Sequence, residues 1–234
     1  MVVLGIESSS PIASVALVSG HKLWGEMTLN IGLTHSEQLL PLIDDLLQQT
    51  KVTLADLEGI AVSGGPGSFT GLRIGMATAK GLAQGLKIPL VSVSTLLALA
   101  YQQAGCCCLV SSLMNARKNE VYAALFRFTA AGYEQLEPEQ ALSPHLWAQK
   151  LAAYQKAIVL TGDGGADYKE IWQETLGKKA VFPPAFTQLA RGASVAWLGQ
   201  QRLGQGEQDD LFTLKPMYIR SSEAERRLRG VGNR

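Results

Sequence analysis

The residues best placed for chemistry run Gly64-Gly65-Pro66-Gly67-Ser68-Phe69-Thr70-Gly71-Leu72-Arg73-Ile74-Gly75, between a short apolar strand and a helix. A glycine turn feeding a helix N-terminus offers backbone N–H groups to an anion, so phosphate binding is the first chemistry to consider. The spacing fits neither common version: no Gly-Lys-Ser/Thr completes a P-loop, and the dinucleotide fingerprint is absent. Ser68 does not sit in a nucleophile elbow either, because Pro66 stands where Gly-x-Ser-x-Gly needs its first glycine. His21, His35 and His145 have no spacing that sets two imidazoles on one helix turn, so a paired-histidine metal site cannot be built on a helix. His35 reads as a capping or packing residue, and no local signature supports a Ser-His-Asp triad. Cys106, Cys107 and Cys108 are adjacent in an apolar stretch, without zinc or disulfide spacing, and read as buried strand thiols.

These residues need elements to position them. Apolar runs at Val2 to Glu7, Ile12 to Val18 and Lys22 to Leu29, split by turn-rich linkers, predict an antiparallel meander. The pattern then alternates: a helix from about Ser36 to Gln49, a strand at Ile60 to Ser63, a helix from Thr70 to about Leu86, a strand at Leu90 to Val93 and a helix after Ser94. Three strands followed by alternating helices and strands is the order of a ribonuclease H-like lobe. After Gly105 come strands at Cys106 to Leu113, Glu120 to Phe128 and Ala157 to Leu160, with a variable Glu- and Pro-rich middle, and a last helix over about 193–203. The expected fold class is α/β, two ribonuclease H-like lobes in the architecture of the actin-like ATPase (ASKHA) superfamily. The first lobe is placed at 1–104 and the second at 105–220, its last helix packing back toward the first, and a basic tail follows at 221–234. That tail, with Arg226, Arg227, Arg229 and Arg234, reads as solvated and partly disordered, with RNA or partner contact as the alternative.

On that fold Glu7 falls where actin-like ATPases commonly carry a magnesium-linked Asp, so Glu7 and Ser8 are candidates for a nucleotide contact. Ser8-Ser9-Ser10-Pro11 lacks the glycine of a phosphate hairpin, and a plain turn is the competing reading. The helix after the glycine block has three faces. Leu72, Met76, Ala79, Ala83 and Leu86 form an apolar stripe, and Arg73, Lys80, Gln84 and Lys87 a solvated one. Gly71, Gly75, Thr78, Gly81 and Gly85 gather with Ile74 on the third, which packing inside the fold and a subunit interface explain equally well. The polar hairpin Met114 to Tyr122 reads as a solvated turn or the rim of an interlobe site.

At 234 residues, 47 % hydrophobic and 18 % charged, the chain can bury a sizeable core. A net charge of +1 supplies no global attraction to nucleic acid, so RNA contact needs a local patch or a partner. With no membrane-length apolar run and no leader-like start, the expected location is cytoplasmic.

Four segments together, His35-Ser36-Glu37-x-Leu39-Leu40-Pro41, the Gly65 to Gly75 block, Asn115-Ala116-Arg117-Lys118-x-Glu120-Val121-Tyr122 and Pro216-x-Tyr218-x-Arg220, closely resemble the TsaB (YeaZ) family. The resemblance implies a non-catalytic subunit of the complex that forms N6-threonylcarbamoyladenosine next to the anticodon of tRNAs reading codons that begin with A. Such a subunit binds and organises the catalytic subunit TsaD, helps recruit the ATPase TsaE, and has tRNA as substrate of the complex. Carried onto this sequence, the implied partner interface is Leu39, Ile43, Gly71, Ile74, Gly75 and Thr78, with Arg73 or Lys80 at its rim and no catalytic or metal residues. It implies no cofactor of the chain's own, with ATP or ADP held at the junction with TsaD. Glu7 stands where the family usually has Asp, which counts against an independent ATP site. A kinase-like ATPase or a peptidase-like hydrolase acting alone is the competing reading, and a homodimer through the same helices in the absence of TsaD is a third.

Overall fold

The computed structural model describes residues 1–31 and 35–220; the basic tail expected at 221–234 lies outside the described residues. β1 (Val2–Glu7), β2 (Ala13–Ser19) and β3 (Lys22–Leu29) form the antiparallel meander, and β4 (Gly59–Gly65) and β5 (Leu90–Ser94) extend the sheet in parallel. The order β3-β2-β1-β4-β5 follows from the helical crossovers α1 (His35–Thr50) and α2 (Phe69–Leu86). β1 and β2 are buried almost throughout, which is why they read as near-continuous apolar runs.

After α3 (Thr95–Tyr101) the plan repeats. β6 (Leu109–Asn115), β7 (Val121–Thr129) and β8 (Gly132–Leu142) are antiparallel, while β9 (Ile158–Thr161) pairs parallel with β6 and the two-residue β10 (Ala180–Val181) parallel with β9. Read from β8, the order β8-β7-β6-β9-β10 matches that of the first sheet, a duplication visible in topology and not in sequence. The helices here are α4 (Pro144–Ala152), α5 (Asp163–Asp167) and α6 (Lys169–Leu176), and then comes α7 (Gly192–Gly204). The chain is thus α/β with two ribonuclease H-like lobes in the actin-like ATPase architecture.

Three apolar clusters hold the layers. Leu4, Ile6, Leu39, Ile43, Leu46 and Met76 lie in one between the first sheet and α1 and α2. Val3, Val91, Leu96, Phe126 and Val195 belong to a second, which joins the lobes through α3 and α7. In the second lobe Trp147 and Trp172 are fully buried; their indoles donate to Ser111 Oγ (2.8 Å) and to the Gly164 carbonyl (3.1 Å). Truncating either to Ala is expected to cost about 3–5 kcal/mol.

α7 lies on the first sheet, and its start is fixed there by polar groups. Ser14 Oγ accepts from the Gly192 N–H (2.9 Å), and Glu26 accepts from the Ala193 N–H (3.0 Å) while pairing with Arg191. A carboxylate at a helix N-terminus offsets both the unpaired donors and the positive end of the dipole. Gly5 faces Gly192 and Ala196 so closely that a Cβ there would overlap the helix backbone.

Two sequence expectations are corrected. The Glu- and Pro-rich middle is β8, an edge strand; Ala123 pairs with Gln140 and Leu125 with Glu137, so Pro138 sits in a bulge where no ladder donor is required. The cysteines are not buried strand thiols: β6 starts at Leu109, Cys107 is exposed, and Cys106 and Cys108 are half-buried in the turn before it. Burial is the main cause that pushes the Cys106 thiol up.

Candidate functional site

The glycine block begins where β4 ends, and its Ser68 and Gly71 N–H groups are already used within the fold. The Ser68 N–H donates to the Ser9 carbonyl (2.6 Å), Ser68 Oγ caps α2 by accepting from the Gly71 N–H (3.3 Å), and the Ser68 carbonyl accepts from Leu72 (2.9 Å). The β1–β2 turn lies against this corner so tightly that a Cβ at Gly67 would overlap Ser9, one at Gly71 the Ser8 carbonyl, and one at Gly75 Ser8 Oγ. The glycines thus let the helix sit down on the serine turn, and the Ser9 carbonyl takes the Ser68 N–H that an anion would otherwise accept from.

Glu7 and Ser8 lie under that lid, each 0 % exposed. The Ser8 hydroxyl donates to the Gly71 carbonyl (3.0 Å), and the Ser8 N–H donates to Ser63 Oγ (3.3 Å). Glu7 Oε1 accepts from the N–H (2.6 Å) and the hydroxyl of Ser9, and Oε2 has no partner among the described residues. Burial pushes the Glu7 carboxyl up, against the opposing pull of the Ser9 and Ser63 hydrogen bonds. Both residues face into the fold, which disfavours the nucleotide contact considered for them. His35 packs there too, its Nε2 2.7 Å from the Ser10 carbonyl.

The partner-face candidates separate in space. Leu39 and Ile43 belong to the core between α1 and the first sheet, and Gly71 and Gly75 are buried against the serine turn, so these four present no surface. Ile74 and Thr78 are half-exposed, and the open side of the helix pair is completed by Leu40 on α1 and Ala77, Gly81 and Gly85 on α2. Gly81 and Gly85 have open space where a Cβ would point.

Arg73 and Lys80 are engaged by a part of the chain that sequence reasoning left unassigned. Arg73 lies over the Phe69 ring (3.8 Å to its centroid) and donates from Nε to Tyr218 Oη (3.0 Å), while Phe69 and Tyr218 stack at 4.9 Å. Lys80 Nζ donates to the Leu214 carbonyl (2.7 Å). The signal available was Pro216-x-Tyr218-x-Arg220, which names the residues without saying what they touch. The Met114 to Tyr122 hairpin also meets this segment, through Arg220 and Glu120 (2.8 Å).

Between the lobes lies a cleft of about 180 Å³ bordered by Pro11 and Ile12 on one side and Met114 and Asp163 on the other. Asp163 accepts from the N–H groups of Asn115 and Gly164 (both 2.9 Å), and burial, the larger influence, pushes its carboxyl up. Among the described residues no group of three or more His, Cys, Asp or Glu side chains could hold a metal ion, and no helix is long and apolar enough to cross a membrane.

Residues 31–228 match the family model described as TsaD, tRNA N6-adenosine threonylcarbamoyltransferase. The chain is 31 % identical over 225 residues to the tRNA threonylcarbamoyladenosine biosynthesis protein TsaB of Bacillus subtilis, covering 96 % of each. It is 28 % identical to the TsaB of Escherichia coli, covering 98 % of this chain and 99 % of that one. Among solved structures, YeaZ from Pseudomonas aeruginosa superposes with a TM-score of 0.78 at 26 % identity, covering 93 % of this chain and 99 % of that chain. An activator of 2-hydroxyisocaproyl-CoA dehydratase from Clostridium difficile shares the fold at a TM-score of 0.53 and 11 % identity, over 90 % of this chain and 99 % of that one. Matched along nearly its whole length by these relatives, the chain belongs to the TsaB (YeaZ) family.

Proposed function

We propose that the chain serves the formation of N6-threonylcarbamoyladenosine in tRNA as a non-catalytic subunit, binding a TsaD homologue through the open side of α1 and α2 and helping to recruit TsaE. The full-length likeness to TsaB relatives supports the pathway, and the observation that carries the non-catalytic part is the closed glycine corner. There Ser9 takes the Ser68 N–H, and Glu7 and Ser8 are fully buried. A kinase-like site needs those groups facing a phosphate. The contact surface is then not the buried glycines but Leu40, Ile74, Ala77, Thr78 and Gly81, a strip of modest side chains that lets a second helix pair approach closely. Any ATP or ADP in the assembly belongs, on this reading, to the junction with TsaD, and tRNA is the substrate of the complex. A homodimer through the same strip is the expected state when TsaD is absent.

The test is reconstitution with TsaD and TsaE homologues and a tRNA substrate, following the modified adenosine by mass spectrometry. Omitting this chain should abolish or strongly reduce modification by the other components, while the chain alone should modify nothing and hydrolyse no ATP. Turnover of ATP by the purified chain would contradict the non-catalytic reading and favour the kinase-like alternative.

A further inference from the structure

The segment after α7 makes a chain of contacts that runs from one lobe to the other. It starts on the open edge of the first sheet, where the Asp209 N–H donates to the Leu90 carbonyl (2.8 Å) and Asp209 Oδ2 accepts from the Ser92 N–H (2.5 Å). It then crosses α2 through Leu214 on Lys80, docks its backbone at β4 by the Met217 N–H to the Gly64 carbonyl (2.7 Å), and stacks Tyr218 on Phe69 beside Arg73. Gly65 has φ +116°, and a Cβ there would overlap the Met217 carbonyl, so the corner admits this segment only as glycine.

Two residues further on the segment reaches the second lobe. The Arg220 side chain is 12 % exposed; its guanidinium donates to the carbonyls of Ala116 (2.5 Å) and Arg117 (3.2 Å) and pairs with Glu120 (2.8 Å). The turn it grips has three successive non-glycine residues in the left-handed region, Arg117, Lys118 and Asn119 at φ 60°, 53° and 57°. Such residues are individually disfavoured, and a run of three persists only where neighbouring contacts hold it. A charge-assisted grip on two turn carbonyls is such a contact.

We propose that residues 209–220 are an interlobe latch, held on the first lobe by Tyr218 at the first turn of α2 and on the second by Arg220 at the left-handed turn Arg117–Asn119. Because only Ile219 separates the two grips, releasing either one loosens the other. The latch couples the second-lobe hairpin to the orientation of the first turn of α2. Its bearing on partner binding rests on the function proposed above, whereas the coupling is tested on the chain alone.

The experiment is amide hydrogen exchange on the full chain, comparing wild type with Arg73→Ala and Arg220→Gln. Arg73→Ala, an exposed change in the first lobe, is expected to speed exchange about tenfold or more at Ala116 and Glu120, the amides that close the second-lobe hairpin. Arg220→Gln is expected to speed the same amides and also Met217 and Leu72. Should Arg73→Ala leave Ala116 and Glu120 at wild-type rates, the segment is a packed tail and the latch is wrong. Arg73→Ala decides even if Arg220→Gln fails to fold, and neither result depends on whether TsaD binds.

Discussion

Glu7, at an apparent catalytic address, is buried and bonded to Ser9. Its carboxyl is buried and raised above the ordinary 4.5, chiefly by burial, so the folded chain holds its proton more firmly than the unfolded chain. The stability it contributes is present below 4.5 and is lost as pH rises through the raised value. Glu7→Gln, which stays uncharged, should flatten the fall in denaturant midpoint between pH 4.5 and that raised value; parallel curves for wild type and variant would contradict this. The glycines make a second residue-scale contrast. Gly75→Ala pushes a methyl into Ser8 and is expected to cost about 1–3 kcal/mol. Gly81→Ala meets open space on the same helix and should gain about 0.5–1 kcal/mol, both read from denaturant unfolding. Sequence showed that these glycines share an arc of α2 but not that the arc has two sides. At ~100° per residue Gly71 to Gly85 spread over about 120°, enough for one edge to meet the serine turn while the other faces solvent.

Among the elements, those with a strong period were legible and those set by tertiary contacts were not. β1, β2, α1 and α2 follow from apolar runs and 3.6-residue spacing. β8 escaped because Pro138 and five glutamates or glutamines argue against a strand, and only its edge position and bulge make them tolerable. The segment 209–220 has one internal turn, in which Asp210 accepts from Phe212, Thr213 and Leu214, and its placement rests on Leu90, Ser92, Lys80 and Gly64 far back in the chain. The cysteine turn was misjudged because residue-type burial is an average, and here the chain is still turning out of α3 when it reaches them. A native-state alkylation experiment checks this placement: Cys107, exposed, should take up an alkylating reagent before Cys106, whose thiol is half-buried and raised. Modification only after denaturation would place the thiols inside.

At the scale of the whole molecule, two sheets of matching strand order are joined by α3 and α7 and bridged again by the segment after α7. The duplicated plan leaves α1 and α2 with one face in the first core and one face open, which is the arrangement a partner subunit requires. The most direct measurement is sedimentation of the purified chain with a TsaD homologue, using wild type and Ala77→Arg, a change on the open side of α2 that touches no core residue. The account predicts a wild-type heterodimer and, for the folded variant, affinity lower by about tenfold or more. A wild-type chain that ignores TsaD, or an Ala77→Arg variant that binds it as tightly as wild type, would contradict the placement of the partner on this face.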